Sequence, residues 1–215
     1  MDALILVDLQ NDFLPGGPLA VPGGDRVVPV ANRLIEAFEL VVAARDWHPP
    51  DHCSFASQHP GHEPGEVIQH EGLEQILWPE HCIAGSEGAE FSDALNTDAI
   101  DRVFKKGNDK DIDSYSCLWD NGHRRPTGLG DYLRERDVDD LYVAGLALDY
   151  CVKFSALDAA EEGFAVHAVR DATRAVNLQE GDDRRTIEAL RAKAVEIVTA
   201  DQAVARKARN RPRTD

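Results

Sequence analysis

The chain has 215 residues, 43% of them hydrophobic and 29% charged, so we expect one globular domain with a full core. The 39 acidic and 23 basic residues give a net charge of -16 at pH 7, which argues against nucleic acid or an anionic membrane as a partner. No apolar stretch approaches the about 20 residues of a membrane span, and the N-terminus lacks the basic and apolar segments of a signal peptide. The composition therefore predicts a cytoplasmic protein.

Apolar runs typical of strands alternate with helical patterns along the chain. The predicted strands are 3–7, 40–44, 102–105, 141–144, 165–169 and 194–198, and the predicted helices are 25–39, 128–136, 149–162 and 182–193. Several strands are continuous Val, Ile, Leu and Ala runs, as in strands buried on both faces. This alternation predicts an α/β fold with a doubly wound, mainly parallel sheet and helices on both faces. We expect a single domain over residues 1–200 and a basic, frayed C-terminal tail over residues 201–215.

The stretch 46–100 interrupts this alternation. It is rich in His, Pro, Gly and Glu, and it holds six of the chain's eight histidines. We expect only short helical turns in it, around 73–77 and 92–95. Because a loop of this length inside a compact domain is usually functional or disordered, its aromatic residues and histidines favour a functional loop insertion.

Three reactive side chains each follow a predicted strand: Asp8, Lys106 and Cys151. Since ligands of open α/β sheets bind at the carboxyl ends of the strands, we expect these side chains to meet. A carboxylate and an ammonium beside a thiol would favour forming and using the thiolate. The alternatives are a structural Asp, a surface Lys and a buried core Cys, and the residues alone do not choose between Lys105 and Lys106.

A second group of side chains resembles a metal site. Asp46 and His48 lie on the same side of an extended segment, and His81 could supply a third ligand. Two histidines and a carboxylate suit Zn²⁺ or Fe²⁺. The alternative is a solvated, histidine-rich loop.

Five motifs closely resemble those of the nicotinamidases and pyrazinamidases in the isochorismatase-like cysteine hydrolase family. They are the segments Asp8 to Phe13, Asp46 to Phe55, Trp78 to Cys82, Lys106-Gly107 and Gly145 to Val152. The resemblance extends from Ala3 to about Val198. One departure is the pair Cys117-Leu118, where the family usually has a small residue followed by an aromatic one, and this puts the local pocket rim in doubt.

The resemblance implies a role for each matching residue. The catalytic triad would be Asp8, Lys106 and Cys151, which selects Lys106 over its neighbour. One divalent ion, Zn²⁺ by preference but also Fe²⁺ or Mn²⁺, would bind Asp46, His48 and His81, with His52 as a further candidate. The substrate pocket would include Phe13, Trp78, Leu146 and Tyr115. The peptide bond between Leu146 and Ala147 would be cis, and the backbone N–H groups of Ala147 and Cys151 would form the oxyanion hole.

The activity that follows from this resemblance is hydrolysis of nicotinamide to nicotinate and ammonia, in NAD salvage, through a cysteine thioester. One alternative is a family hydrolase acting on another small amide or on a vinyl ether. Others are a metallohydrolase that uses a metal-activated water, with Cys151 merely buried, and a non-catalytic binding module. The expected partner is a small-molecule substrate, with no nucleic acid and no membrane, and a homo-oligomer is left open.

Overall fold

This computed structural model describes residues 1–210 of the chain, which contain eight β-strands and five α-helices. The strands are β1 (Asp2–Val7), β2 (Val41–Asp46), β3 (Val67–His70), β4 (Leu73–Ile76), β5 (Arg102–Lys106), β6 (Asp140–Leu146), β7 (Ala165–Arg174) and β8 (Glu196–Val198). The helices are α1 (Val27–Ile35), α2 (Leu129–Arg134), α3 (Lys153–Glu161), α4 (Asp182–Ala192) and α5 (Ala200–Asn210). Within these residues no helix is long and apolar enough to cross a membrane.

Six of the strands form one parallel sheet in the order β5-β2-β1-β6-β7-β8. From β1 the chain moves outward to β2 and β5, and it later returns to build β6, β7 and β8 on the other side. The carboxyl ends of β1 and β6 therefore meet where the strand order reverses, which is the ligand-binding position of open α/β sheets. This topology confirms the predicted doubly wound parallel sheet.

Alternate residues of β1 supply the two cores that cover the sheet. Ala3, Ile5 and Val7 face the core that contains residues of α2, α3 and α4, whereas Leu4 and Leu6 face the core shared with α1 and α5. All five side chains are completely buried. Because successive strand residues point to opposite faces, a continuous apolar run is the pattern that a sheet covered on both sides requires.

The segment between β2 and β5 contains a small antiparallel hairpin, β3-β4. Leu73–Ile76 is a strand, so the helical turn predicted at 73–77 is wrong. The two residues that join the strands, Glu71 and Gly72, have φ values of 50° and 81°. Positive φ at both central positions is the geometry of the two-residue hairpin turn that matches strand twist.

Residues 201–210 are not a frayed tail, because they continue as helix α5. Ala203 is completely buried, and two of the basic side chains that suggested a solvated terminus are paired. Arg206 lies 2.6 Å from Glu196, and Lys207 lies 3.1 Å from Asp2. The rest of the predicted tail, residues 211–215, lies outside the described residues.

Candidate active site

A buried lysine joins a thiol to two carboxylates at the reversal point of the sheet. Lys106 is the last residue of β5 and is 1% exposed. Its Nζ lies 2.8 Å from Asp8 Oδ2, 2.6 Å from Asp46 Oδ1 and 3.3 Å from Cys151 Sγ. It also donates to the Ser114 carbonyl oxygen at 3.1 Å. The predicted trio of base, cation and thiol is thus brought together, and Asp46 joins it.

The neighbouring lysine, Lys105, lies outside this group. Its ammonium is 4.0 Å from the ring centroid of Trp47, and the side chain is exposed. Successive strand residues point to opposite faces, so only one of the two lysines can enter the site. The geometry selects Lys106, as the family resemblance implied.

Strand pairing sets the positions of Asp8 and Cys151. Val7 of β1 is paired with Gly145 of β6, so the residues that follow the two strands emerge side by side. Gly145 has φ +126°, and a Cβ there would lie 2.0 Å from the Val7 carbonyl oxygen. The strands can therefore approach this closely only with glycine at this position. After β6 a π-helical turn, Leu148–Val152, carries Cys151 into α3.

The peptide bond between Leu146 and Ala147 is cis. The family resemblance implied this bond, and the structure confirms it.

Burial and the neighbouring charges together determine the pKa values of Asp8 and Lys106. Burial raises the pKa of Asp8 to about 7, against the opposing effect of the Lys106 ammonium. Burial lowers the pKa of Lys106, but the two neighbouring carboxylates outweigh it and hold that pKa well above its usual value. Lys106 is therefore an ammonium at neutral pH, while Asp8 can take up or release a proton.

The thiol responds to its two partners in opposite directions. Burial raises the pKa of Cys151 well above its usual value, the Lys106 ammonium lowers it, and the Asp8 carboxylate raises it again. The expectation that both partners favour the thiolate is therefore wrong for Asp8, because a negative charge beside the sulfur opposes a second one. Asp8 is placed to accept the thiol proton, and Lys106 is placed to stabilise the thiolate.

A buried cluster of metal-ligating groups adjoins the lysine. One ligand atom each from Asp46, His48 and His81 lies within 4.8 Å of the others. His48 Nδ1 is 2.7 Å from the Gly107 carbonyl oxygen, and His81 Nδ1 is 2.8 Å from that of Pro79. A histidine that donates one ring N–H to a carbonyl presents its other nitrogen as a lone pair, which is the usual arrangement of a metal ligand. The predicted ligand set therefore fits a divalent ion.

His52 stands next to this cluster with one nitrogen unused. Its ring stacks on His48 with 4.1 Å between centroids, and its Nδ1 lies 2.8 Å from Ser54 Oγ. Within residues 1–210, its buried Nε2 has no hydrogen-bond partner. A cation would satisfy this nitrogen. Asp113, a residue not predicted for the site, is buried, and one of its carboxylate oxygens lies within 4.8 Å of ring nitrogens of His48 and His52.

A cavity lies between Cys151 and the ligand cluster. Three of the predicted pocket residues line it, Phe13, Trp78 and Tyr115, and so does Ala147, which was predicted for the oxyanion hole. It is also lined by residues that sequence reasoning missed, among them Leu19, Val21, Tyr150 and Val176. The Trp78 indole N–H donates to Tyr115 Oη at 3.1 Å, and the Tyr150 ring meets Trp78 edge-on at 4.9 Å. These aromatic contacts build a wall suited to a flat ring.

Leu146 does not line the cavity, contrary to the prediction. It is completely buried in the core shared with α1 and α5. Tyr142, Ala144 and Leu146 are alternate residues of β6 and belong to that same core, so strand periodicity sends Leu146 away from Cys151.

The isochorismatase domain model matches residues 2–202, which is nearly all of the described chain. The chain belongs to the isochorismatase family. It is 50% identical to the nicotinamidase of Escherichia coli over 184 residues, covering 84% of this chain and 86% of that protein. The Acinetobacter baumannii nicotinamidase/pyrazinamidase structure has a TM-score of 0.91 at 41% identity, with 94% of this chain and 97% of that one covered.

A pyrazinamidase of Pyrococcus horikoshii, solved in complex with zinc, is also similar to this isochorismatase family member. Its TM-score is 0.75 at 36% identity, and the match covers 92% of this chain and 98% of that one.

The Cys117-Leu118 pair, which departs from the usual motif of the family, lies away from the cavity. Cys117 and Leu118 are 0% and 1% exposed and pack in the core with α2, α3 and α4. Neither residue lines the cavity, so the doubt about the pocket rim is removed.

Proposed function

We propose that this protein hydrolyses nicotinamide to nicotinate and ammonia and thereby serves NAD salvage. The observation that carries the proposal is the Lys106 ammonium, which contacts Asp8, Cys151 and Asp46 at the edge of an aromatic-walled cavity. Relatives named nicotinamidase cover most of the chain and support the choice of substrate.

The reaction begins with proton transfer from the Cys151 thiol to Asp8. The resulting thiolate, stabilised by the Lys106 ammonium, attacks the amide carbon and forms a carbon–sulfur bond. Asp8 then returns its proton to the departing nitrogen, the carbon–nitrogen bond breaks, and ammonia leaves a thioester behind. Asp8 next takes a proton from water, whose oxygen attacks the thioester. Nicotinate departs, and the sulfur regains its proton.

The oxygen of the tetrahedral intermediate needs donors that are already in place. We assign this role to the backbone N–H groups of Ala147 and Cys151, because both residues line the cavity. Removing one such donor typically costs roughly 3 kcal/mol of transition-state stabilisation.

A divalent ion fits the cluster of Asp46, His48 and His81, with His52 as a further ligand or support. When bound, the ion would accept the pyridine nitrogen of the substrate and so orient the carboxamide towards the thiol. We propose zinc, because a related pyrazinamidase was solved with zinc and because two imidazoles and a carboxylate suit this ion. Iron and manganese also accept such ligands.

The experiment is an assay of ammonia release from nicotinamide by the purified full chain. Cys151→Ala should abolish release, whereas Cys53→Ala, which removes a different buried thiol, should retain it. Iodoacetamide should inactivate the wild type, and chelation followed by zinc should first lower and then restore the rate. Full activity of Cys151→Ala would overturn the thiol mechanism in favour of a metal-activated water. Activity on another small amide but not on nicotinamide would overturn the substrate assignment.

A further inference from the structure

A second cavity, which is not part of the catalytic site, lies between the end of β7 and helix α4. Four arginines contribute to its walls: Arg170, Arg174, Arg184 and Arg191. We call this space the arginine cavity. Two carboxylates, those of Asp183 and Glu188, also line it, so four positive and two negative groups leave a local excess of two positive charges.

None of the four arginines has an acidic partner among residues 1–210. No carboxylate oxygen in that range lies within 4.0 Å of their guanidinium nitrogens. Arg174 instead donates to the carbonyl oxygen of Thr173 at 2.6 Å. In a chain with a net charge of -16, this gathering places four guanidinium groups without a carboxylate partner in the described residues around one cavity, where they can meet an anionic ligand.

A buried hydroxyl in the same wall is also unpaired. Thr173 is 2% exposed and lines the arginine cavity, and within the described residues its Oγ1 has no hydrogen-bond partner. Buried polar atoms normally have partners, so this hydroxyl marks an incomplete hydrogen-bond network beside the arginines.

The chemistry of the walls selects the ligand. Guanidinium groups bind phosphate through two parallel N–H donors, and they do so more readily than lysine ammonium groups. Part of the wall is apolar and includes Ile187 and Ile197, which would cover an uncharged part of the ligand. We propose that the arginine cavity binds a small phosphorylated molecule, with its phosphates on the arginines and an apolar group on the isoleucines.

Calorimetric titration of the full-length protein at constant ionic strength tests this proposal. The probes are inorganic pyrophosphate and ADP, which share a diphosphate and differ in the base and sugar. Both should bind saturably, and ADP should bind more tightly. In the variant Arg184→Gln/Arg191→Gln, each lost arginine should weaken binding about tenfold. Ile187→Ser should weaken the binding of ADP but not of pyrophosphate.

The matched control is Arg185→Gln, because Arg185 is next to Arg184 on α4 but pairs with Asp182 at 2.6 Å and does not line the arginine cavity. Arg185→Gln should bind both probes as the wild type does, and unchanged nicotinamide hydrolysis in all the variants would verify their folding. The proposal is overturned if neither probe gives saturable heat. It is also overturned if the double variant binds as tightly as Arg185→Gln, since the probes would then occupy another place, such as the metal-ligand cluster.

Discussion

Replacing Asp8 with Asn separates the two partners of the catalytic thiol. Asn has nearly the same shape but carries no charge and accepts no proton at neutral pH. Lys106 keeps its contact with Asp46 at 2.6 Å, so the ammonium stays beside Cys151. The substitution therefore removes the proton acceptor and also a negative charge that opposes the thiolate.

The size of the effect follows from the geometry. The ligand atoms of Asp8 and Cys151 lie within 4.8 Å, where two unit charges interact by about 3.5 kcal/mol at an effective dielectric constant of about 20. The thiol pKa should therefore fall in Asp8→Asn, so that alkylation near neutral pH becomes faster. Nicotinamide turnover should nonetheless fall by a factor of about 10² to 10⁴, because the proton acceptor is lost.

The assay measures the rate of Cys151 alkylation by iodoacetamide against pH, by mass spectrometry, beside ammonia release from nicotinamide. Lys106→Met is the matched variant: it removes the stabilising ammonium, so its alkylation should be slower and its turnover also lost. Circular dichroism checks folding, because Lys106→Met leaves Asp8 and Asp46 without their cation. If Asp8→Asn slows alkylation as much as Lys106→Met does, Asp8 stabilises the thiolate and the assignment of roles is wrong.

Three further predictions concern protonation, the metal and stability. Burial raises the pKa of Asp8 to about 7, and only the carboxylate form accepts a proton, so kcat/KM should rise as pH increases through about 7. A profile of kcat/KM that instead rises near pH 4 would contradict this. Asp46→Ala should reduce metal content and speed thiol alkylation, because its carboxylate is a candidate metal ligand and also raises the pKa of Cys151. His48→Ala should reduce metal content and raise KM but leave alkylation nearly unchanged; metal analysis and alkylation rates check both variants. Gly145→Ala should lower the free energy of unfolding in urea by several kcal/mol. The control Gly163→Ala, where φ is also positive but no atom crowds the new Cβ, should lower it by about 1–2 kcal/mol. Equal losses in the two variants would refute the packing argument.

Some features are determined by short stretches of sequence. Apolar runs, several of them continuous, predicted the six strands of the sheet, because a strand covered on both faces is apolar along its length. The positions of Asp8, Lys106 and Cys151 after such runs predicted that they meet, because parallel strands share a carboxyl edge. The missed hairpin also has a local signal, the Glu71-Gly72 turn. The basic C-terminal pattern was misleading, because one of its acidic partners, Asp2, lies at the other end of the chain.

Other features depend on distances that no local pattern contains. Asp46 belongs to both the metal-ligand cluster and the lysine group, because β2 lies between β1 and β5 in the sheet. Tyr150 and Val176 line the cavity although they belong to different segments of the chain. Leu146 does not line it, because the alternation of side chains along β6 directs Leu146 into the core on the other face of the sheet. The sequence by itself determined which residues carry the chemistry. Only the tertiary structure decided that Asp8 opposes the thiolate, because the sign and size of a pKa shift depend on burial and on the distance to each charge.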